Sequence, residues 1–258
     1  MRIAIVLLVG LAGVAACGGG GNAAASQDSN RPGTGNREPG TGKAAATASA
    51  VPQAGSQAPV PGSRSGRKTV LIVGTSLTAG LGLDTEDAYP ALLQQKVDSV
   101  GLHYEVVNAG LSGETSAGAL RRVDWLLRGP ADVVIIETGA NDGLRGLNVD
   151  STRANLRAII AKVKAARPAA RILLAQMEAP PNLGTKYTNA FRAMYQDVAK
   201  ETGVSVMPFL LQGVAGVSRL NQGDGIHPNE EGEQIVANNV WKALEPMLRE
   251  LDAASTTS

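Results

Sequence analysis

The chain has 258 residues, enough for a domain with a sizeable hydrophobic core. Its 24 Lys and Arg residues nearly balance its 23 Asp and Glu residues, for a formal net charge of +1, and aromatic residues make up 3% of the chain. Because nucleic-acid-binding proteins normally combine a basic surface with aromatic side chains that stack on bases, this composition argues against a nucleic-acid partner.

The N-terminus has the pattern of a secretion signal. After a short basic start, residues 3–16 form an apolar run that is too short to span a bilayer. The run ends in Val14-Ala15-Ala16 before Cys17, the only cysteine, and this resembles the lipobox of bacterial lipoproteins. The resemblance implies that a signal peptide, residues 1–16, is removed and that Cys17 is acylated, which anchors the protein to a membrane of the cell envelope. Gly18 favours the outer membrane if the bacterium has two membranes.

Residues 17–68 are rich in Gly, Ala, Ser, Thr and Pro and show no apolar periodicity, which predicts a disordered linker behind the lipidated cysteine. Its segment Gly40-Thr41-Gly42-Lys43 is not a phosphate-binding loop. Arg37 stands where that motif needs glycine, and Ala44 stands where it needs serine or threonine. With Cys17 acylated, no thiol is left for a disulfide, a nucleophile or a metal site.

Residues 69–251 alternate apolar runs with amphipathic segments, which predicts one α/β domain. Five runs have the length and composition of buried parallel strands: 69–73, 104–108, 132–138, 171–175 and 204–207. Five segments have helical periodicity: 89–100, 114–127, 151–167 with Ser151 as its N-cap, 187–202 with Gly203 as its C-cap, and 229–248. The pattern predicts a three-layer α/β/α sandwich on a five-stranded parallel sheet of flavodoxin-like order 2-1-3-4-5, and a disordered tail over residues 252–258.

Polar or glycine-rich turns follow the first three predicted strands. Ser76 follows the first strand, Gly110 the second and Asn141 the third. Ligands bind at the carboxyl edge of an open parallel sheet, and these strands are neighbours in the predicted order, so we expect the three residues to lie together. Simpler interpretations exist: Ser76 or Thr75 as a helix cap, Gly110 as a turn residue, and Asn141 as a left-handed turn residue. A nucleophile beside several hydrogen-bond donors suits acyl transfer.

A long segment after the fifth strand ends in Asp224-Gly225-Ile226-His227-Pro228. The chain has two histidines, and His103 at the entry to the second strand has the pattern of an ordinary strand-edge residue. His227 is therefore the candidate for proton transfer near neutral pH, and Asp224, three residues earlier, is placed to orient its ring. A simple turn role for this pair is the alternative.

The segments around Ser76, Gly110, Asn141 and His227, in this chain order, resemble the SGNH (GDSL-type) hydrolase superfamily. They are most similar to its bacterial lysophospholipase, acyl-thioesterase and arylesterase group. The matching segments are residues 74–77, 108–115, 139–146 and 224–229. The resemblance implies a serine hydrolase that cleaves carboxylic esters or thioesters through an acyl-enzyme, without a metal or cofactor. It assigns Ser76 as nucleophile, His227 as base and Asp224 as the acid of the triad. The implied oxyanion hole consists of the Ser76 and Gly110 backbone N–H groups and the Asn141 side chain.

Two further segments bear on this resemblance. Thr75 stands where the family usually has aspartate, and because that aspartate is not the acid of the triad, we expect the chemistry to be retained. The segment containing Glu178, Ala179, Pro180 and Pro181 follows the fourth strand. In the resembling group this region is a mobile substrate loop, whereas its prolines alone would predict a stiff connection.

The partner implied by the resemblance is a small-molecule or lipid ester, together with the membrane reached through the lipid anchor. We expect the protein to act as a monomer. Two alternatives remain at this point. One is a carbohydrate O-acetyl esterase that acts on envelope glycans, and the other is a non-catalytic envelope-binding lipoprotein that kept the fold.

Overall fold

A computed structural model describes residues 66–256, which contain a sheet of five parallel strands. The strands are β1 (Lys68–Gly74), β2 (Tyr104–Gly110), β3 (Val133–Ile136), β4 (Arg171–Ala175) and β5 (Ser205–Met207). Their order is β2-β1-β3-β4-β5, which confirms the predicted sheet. β3 is buried along its whole length and β1 from Thr69 onward, because helices cover both faces of the sheet.

Seven α-helices lie within residues 66–256. They are α1 (Ser76–Ala79), α2 (Tyr89–Ser99), α3 (Ser116–Leu126), α4 (Ala140–Leu144), α5 (Val149–Ala166), α6 (Thr185–Thr202) and α7 (Glu230–Thr256). One group packs α2 against α7, and the other packs α5 between α3 and α6, so that the sheet is flanked by helices. Gly203 ends α6 in a left-handed conformation, which confirms it as the C-cap.

The C-terminal end differs from the prediction. The disordered tail predicted for residues 252–258 is wrong as far as Thr256, because α7 continues to that residue. Asp252 explains the extension, since its carboxylate accepts hydrogen bonds from Lys68 Nζ at 3.0 Å and from the Tyr104 hydroxyl at 2.9 Å. These contacts join the last turns of α7 to the first residues of β1 and β2.

Local helix starts also differ. Ser151 is not the N-cap of α5, because the helix begins at Val149 and Asn148 caps it by accepting a hydrogen bond from the Ser151 N–H. Two short helices, α1 and α4, lie near the carboxyl edge of the sheet: Thr75 is the N-cap of α1, as the helix-cap interpretation predicts, whereas around Asn141 only a turn was predicted. α1 follows β1 after one residue and α4 follows β3 after three, so both carry residues at the carboxyl edge of the sheet.

Several predictions lie outside the described residues: the signal peptide 1–16, the acylated Cys17 and the linker up to residue 65. The last residue of the predicted linker, Lys68, is the first residue of β1. In the part of the chain that the structure describes, no helix combines the length and apolar character needed to cross a bilayer.

Candidate active site

The carboxyl ends of β1, β2 and β3 lie side by side. Gly74 at the end of β1 pairs with Gly110 at the end of β2, and Val73 pairs with Ile136 at the end of β3. Turns that leave these three strands therefore start from one edge of the sheet, as the predicted strand order requires.

Ser76, His227 and Asp224 form a continuous hydrogen-bonded chain at this edge. His227 Nε2 lies 2.9 Å from Ser76 Oγ, and His227 Nδ1 lies 2.6 Å from Asp224 Oδ2. When Nδ1 carries the proton and donates to the carboxylate, Nε2 is left free to accept the serine hydroxyl proton. The arrangement thus has the connectivity of a nucleophile, a general base and an orienting acid.

The Asp224 carboxylate has a second set of partners. Its Oδ1 accepts the backbone N–H groups of Ile226 at 3.0 Å and His227 at 3.1 Å. The hydrogen bond from the His227 ring, followed by these backbone hydrogen bonds, lowers the pKa of Asp224 to about 2. Asp224 is therefore ionised at neutral pH, although its side chain is partly exposed.

Gln222 links the loop that contains His227 to the residues that follow the Ser76 helix, through hydrogen bonds. Its Nε2 donates to the Leu81 carbonyl at 2.7 Å and to the Pro228 carbonyl at 2.9 Å, and its backbone N–H donates to the His227 carbonyl at 2.8 Å. The sequence analysis did not identify Gln222, because no local pattern marks a glutamine whose partner, the Leu81 carbonyl, is so distant in sequence.

The predicted role of Gly110 is wrong. Its backbone N–H already donates to Asn108 Oδ1 at 2.9 Å, so it does not serve an oxyanion. A Cβ at Gly110 would lie 2.3 Å from the Ala79 backbone nitrogen, which shows that this glycine lets β2 approach α1. Its position directly after the second strand made it the apparent candidate, but its function is packing.

Gly113 is the candidate for the oxyanion-donor role that was predicted for Gly110. It lines the same cavity as Ser76 and Asn141, in a left-handed conformation with φ of 77°. Among the described residues, its N–H donates to no other group, and the same holds for the Ser76 N–H at the start of α1. Asn141 Nδ2 donates to the Glu114 carbonyl at 3.0 Å, which fixes the amide at the cavity wall. These three groups are the candidate oxyanion donors.

Arg122 holds in place the backbone next to the candidate oxyanion donors. Its guanidinium forms an ion pair with the buried Glu114 carboxylate at 2.7 Å and donates to the carbonyls of Gly74 at 3.2 Å and Ala109 at 2.8 Å. One side chain thereby holds the ends of β1 and β2 and the following turn together. No local pattern marks this role, since the partners of Arg122 lie on β1, on β2 and in the turn that follows β2.

An apolar cavity of about 580 Å³ opens beside Ser76 and His227. All four residues of the predicted substrate loop, Glu178, Ala179, Pro180 and Pro181, lie on its wall. The wall is otherwise mainly hydrophobic, with Leu77, Leu81, Leu144, Met177, Phe209 and Ile226 among its residues. Such a cavity fits an aliphatic or aromatic group next to the nucleophile.

Two buried carboxyl groups lie behind the nucleophile. Burial raises the pKa of Glu137 to about 7, although the hydrogen bonds that it accepts from Thr75 and Thr78 act in the opposite direction. Burial also raises the pKa of Glu233, on α7, to about 8, against the effect of a hydrogen bond from the Tyr89 N–H. Both groups thus take up protons more readily in the folded protein than in the unfolded chain.

This difference predicts that stability falls as pH rises. Because the folded pKa values lie above the ordinary value of 4.5, the contribution is complete below pH 4.5 and is lost as the pH passes through about 7 and 8. We expect the melting temperature to decrease between about pH 5 and about pH 9, and Glu233→Gln to flatten this decrease. The control is Glu250→Gln at an exposed carboxyl. Identical slopes for wild type and Glu233→Gln would contradict the assignment.

The fold and the hydrogen-bonded serine, histidine and aspartate define a serine hydrolase with an acyl-transfer site. Its family follows from sequence comparison. The model of the GDSL-like Lipase/Acylhydrolase family matches residues 72–235, and the chain belongs to this family. It is accordingly a carboxylic ester hydrolase.

Individual relatives agree with this family. Esterase TesA from Pseudomonas aeruginosa is 43% identical over 183 residues, covering 70% of this chain and 90% of the relative. Thioesterase 1/protease 1/lysophospholipase L1 from Escherichia coli (strain K12) is 41% identical over 181 residues, covering 70% and 85%. The crystal structure of the psychrotrophic esterase EstA from Pseudoalteromonas sp., inhibited by monoethylphosphonate, has a TM-score of 0.67 and 38% identity, covering 70% of this chain and 99% of that one.

Proposed function

We propose that this protein hydrolyses carboxylic esters and thioesters of apolar acyl groups through an acyl-enzyme formed on Ser76. The observation that carries the proposal is the hydrogen-bonded chain from Ser76 through His227 to Asp224 at the wall of an apolar cavity. Family membership supports the same chemistry, as do relatives named esterase, thioesterase, lysophospholipase and arylesterase.

In the first half of the reaction, Ser76 Oγ attacks the substrate carbonyl carbon while His227 Nε2 takes the hydroxyl proton. The carbonyl oxygen becomes an oxyanion that accepts hydrogen bonds from the backbone N–H groups of Ser76 and Gly113 and from the Asn141 amide. Asp224 holds the His227 ring in the required tautomer and stabilises its protonated form.

The tetrahedral intermediate then expels the alcohol or thiol, which receives the proton from His227, and the acyl group stays on Ser76. Water enters next, His227 takes one of its protons, and the resulting hydroxyl attacks the acyl carbonyl. Collapse releases the carboxylic acid and returns the proton to Ser76. His227 thus acts alternately as base and acid, and each cycle restores the hydrogen-bonded chain.

The cavity favours an apolar acyl or aryl group over a sugar. Among its lining residues, Ser76, His227, Asn141 and Glu178 have polar side chains, and the first three have roles in the chemistry. Few groups remain to hydrogen-bond the hydroxyls of a glycan, so the O-acetyl esterase alternative has no specific support. The non-catalytic alternative is at odds with the family and with the hydrogen-bonded triad. The lipid anchor at Cys17, the envelope location and the monomeric state stay predictions.

A chain-length series tests the substrate class. With nitrophenyl esters and acyl-CoA thioesters, we expect kcat/KM of the full-length protein to rise about fourfold for each CH₂ group that enters the cavity. Leu144→Ser, in the cavity wall, should reduce this gain while leaving acetyl-ester turnover nearly unchanged. The matched control is Val100→Ser, since Val100 is also an exposed hydrophobic residue but does not line the cavity.

The same series separates the alternatives. Lysophospholipids and O-acetylated sugars should be included as substrates. No gain with chain length, together with efficient turnover of acetylated sugars alone, would contradict the proposed substrate class and support the glycan esterase.

A further inference from the structure

A buried carboxylate lies beneath the short helix that carries the nucleophile. Glu137 follows β3 directly and is fully buried. Its Oε2 accepts the Thr75 backbone N–H at 2.8 Å and the Thr78 hydroxyl at 2.8 Å, and its Oε1 accepts the Thr75 hydroxyl at 3.0 Å. These two threonines flank Ser76 in sequence, so one carboxylate holds both sides of the nucleophile.

Helix α1 needs such external support. It has only 4 residues, from Ser76 to Ala79, and the backbone hydrogen bonds within such a short turn are few. Thr75 is the N-cap residue, but its side chain makes no capping hydrogen bond to α1 and instead donates to Glu137. The turn is therefore held by contacts from outside the helix: the Glu137 carboxylate at Thr75 and Thr78, and the Asn108 side chain, which donates to the Thr78 carbonyl at 2.8 Å.

Gly74 allows the carboxylate to approach so closely. A Cβ at this position would lie 1.9 Å from Thr78 Oγ1 and 2.8 Å from Glu137 Oε2, which no side chain could accommodate. The lack of a side chain at Gly74 thus leaves room for the hydrogen bonds that join Glu137 to the nucleophile turn.

The hydrogen bonds continue toward the element that follows His227. The Thr78 hydroxyl lies 2.6 Å from the Tyr89 hydroxyl, and the Tyr89 N–H donates to the Glu233 carboxylate of α7 at 2.8 Å. Each hydroxyl has one proton, so when Thr78 donates to Glu137, Tyr89 must donate to Thr78. Glu137 is then the final acceptor of a polar network that connects the Ser76 turn with the helix behind His227.

We propose that Glu137 is a positioning residue for Ser76, and that Thr75 serves as its hydrogen-bond donor in this chain. The carboxylate does not touch the reacting atoms. It fixes the turn so that Ser76 Oγ stays within 2.9 Å of His227 Nε2 while the Ser76 N–H remains directed toward the substrate carbonyl. This inference rests on the proposed acyl-enzyme chemistry, because it assigns a role in keeping that geometry.

The test compares Glu137→Gln, Thr75→Val and Thr75→Ser in the full-length protein. For each variant, a fluorophosphonate titration counts the reactive sites, and kcat per site, KM and melting temperature are measured with one nitrophenyl ester. We expect Glu137→Gln to lower kcat per site about 10²-fold at nearly unchanged KM, since small displacements of reacting groups have effects of this size. At a pH above 7, where the Glu137 carboxyl is mostly ionised, Thr75→Val should lower kcat about tenfold through the loss of one hydrogen bond to a charged group, and Thr75→Ser should restore it.

Asp132→Asn is the matched control, because Asp132 Oδ2 also accepts a backbone N–H from β1, that of Thr69 at 2.7 Å, but at the opposite end of the strand. It should lower the melting temperature without changing kcat per site. The inference is overturned if Glu137→Gln behaves like Asp132→Asn. If Glu137→Gln does not fold, Thr75→Val decides, and an unchanged kcat per site overturns the proposal. Absence of Ser76-dependent turnover in the wild-type protein would instead overturn the proposed function.

Discussion

Replacing Ser76 with alanine should lower kcat for ester hydrolysis by roughly 10⁶-fold while the fold and the cavity persist. Ser76 Oγ is the atom that His227 Nε2 contacts at 2.9 Å, and alanine removes the nucleophile without adding volume. Residual turnover should reflect only substrate binding and the oxyanion donors. The measurement is the steady-state rate with a nitrophenyl ester, together with the melting temperature as a check on folding.

Ser218→Ala is the control for this substitution, because Ser218 is an exposed serine in the segment that leads to His227. It should keep wild-type activity. Ester turnover by Ser76→Ala within tenfold of wild type would show that another group, or water acting directly, attacks the substrate.

Asp224→Asn should lower kcat by about 10⁴-fold. The asparagine carbonyl can keep the hydrogen bonds from the Ile226 and His227 N–H groups, so the loop should remain in place. Its amide would donate to His227 Nδ1, which now donates to the carboxylate at 2.6 Å. The ring proton would then move to Nε2, which could no longer accept the proton of Ser76.

The rate of Asp224→Asn should be measured with the same nitrophenyl ester, beside Asp124→Asn as an exposed control. The melting temperature of Asp224→Asn should stay close to wild type near neutral pH, because asparagine can keep both backbone hydrogen bonds and the side chain is partly exposed. A decrease in kcat of less than tenfold would mean that Asp224 does not set the tautomer of His227.

The sheet and the triad were accessible from the sequence for a physical reason. Buried parallel strands have continuous apolar runs, and the polar residues that follow them meet at one edge once the strand order is known. Ser76 and Asn141 lie directly in the short helices that follow β1 and β3. Asp224 and His227 are close in sequence, so their spacing alone predicts a contact, which the structure shows at 2.6 Å.

The features that could not be predicted from the sequence depend on contacts between distant segments. Gly110 ends β2 and Gly113 lies in the turn that follows, and only the hydrogen bond from Gly110 to Asn108 and the packing of β2 on α1 separate their roles. From the sequence, Glu137 is predicted to be one more residue of a buried strand, although its carboxylate accepts hydrogen bonds from the turn that contains Ser76. The extension of α7 depends on Asp252, whose partners lie at the start of β1 and β2. No local pattern marks such contacts.

The acyl-enzyme is the central claim, and its most direct test is to trap it. The full-length protein should be mixed with a nitrophenyl ester, quenched with acid before the steady state, digested with trypsin and examined by mass spectrometry. The peptide of residues 69–96 contains Ser76 as its only serine. We predict that this peptide gains the mass of the acyl group, that fragment ions place the group on Ser76, and that Ser76→Ala shows no adduct. Rapid turnover with no adduct, or with an adduct on another residue, would contradict the account.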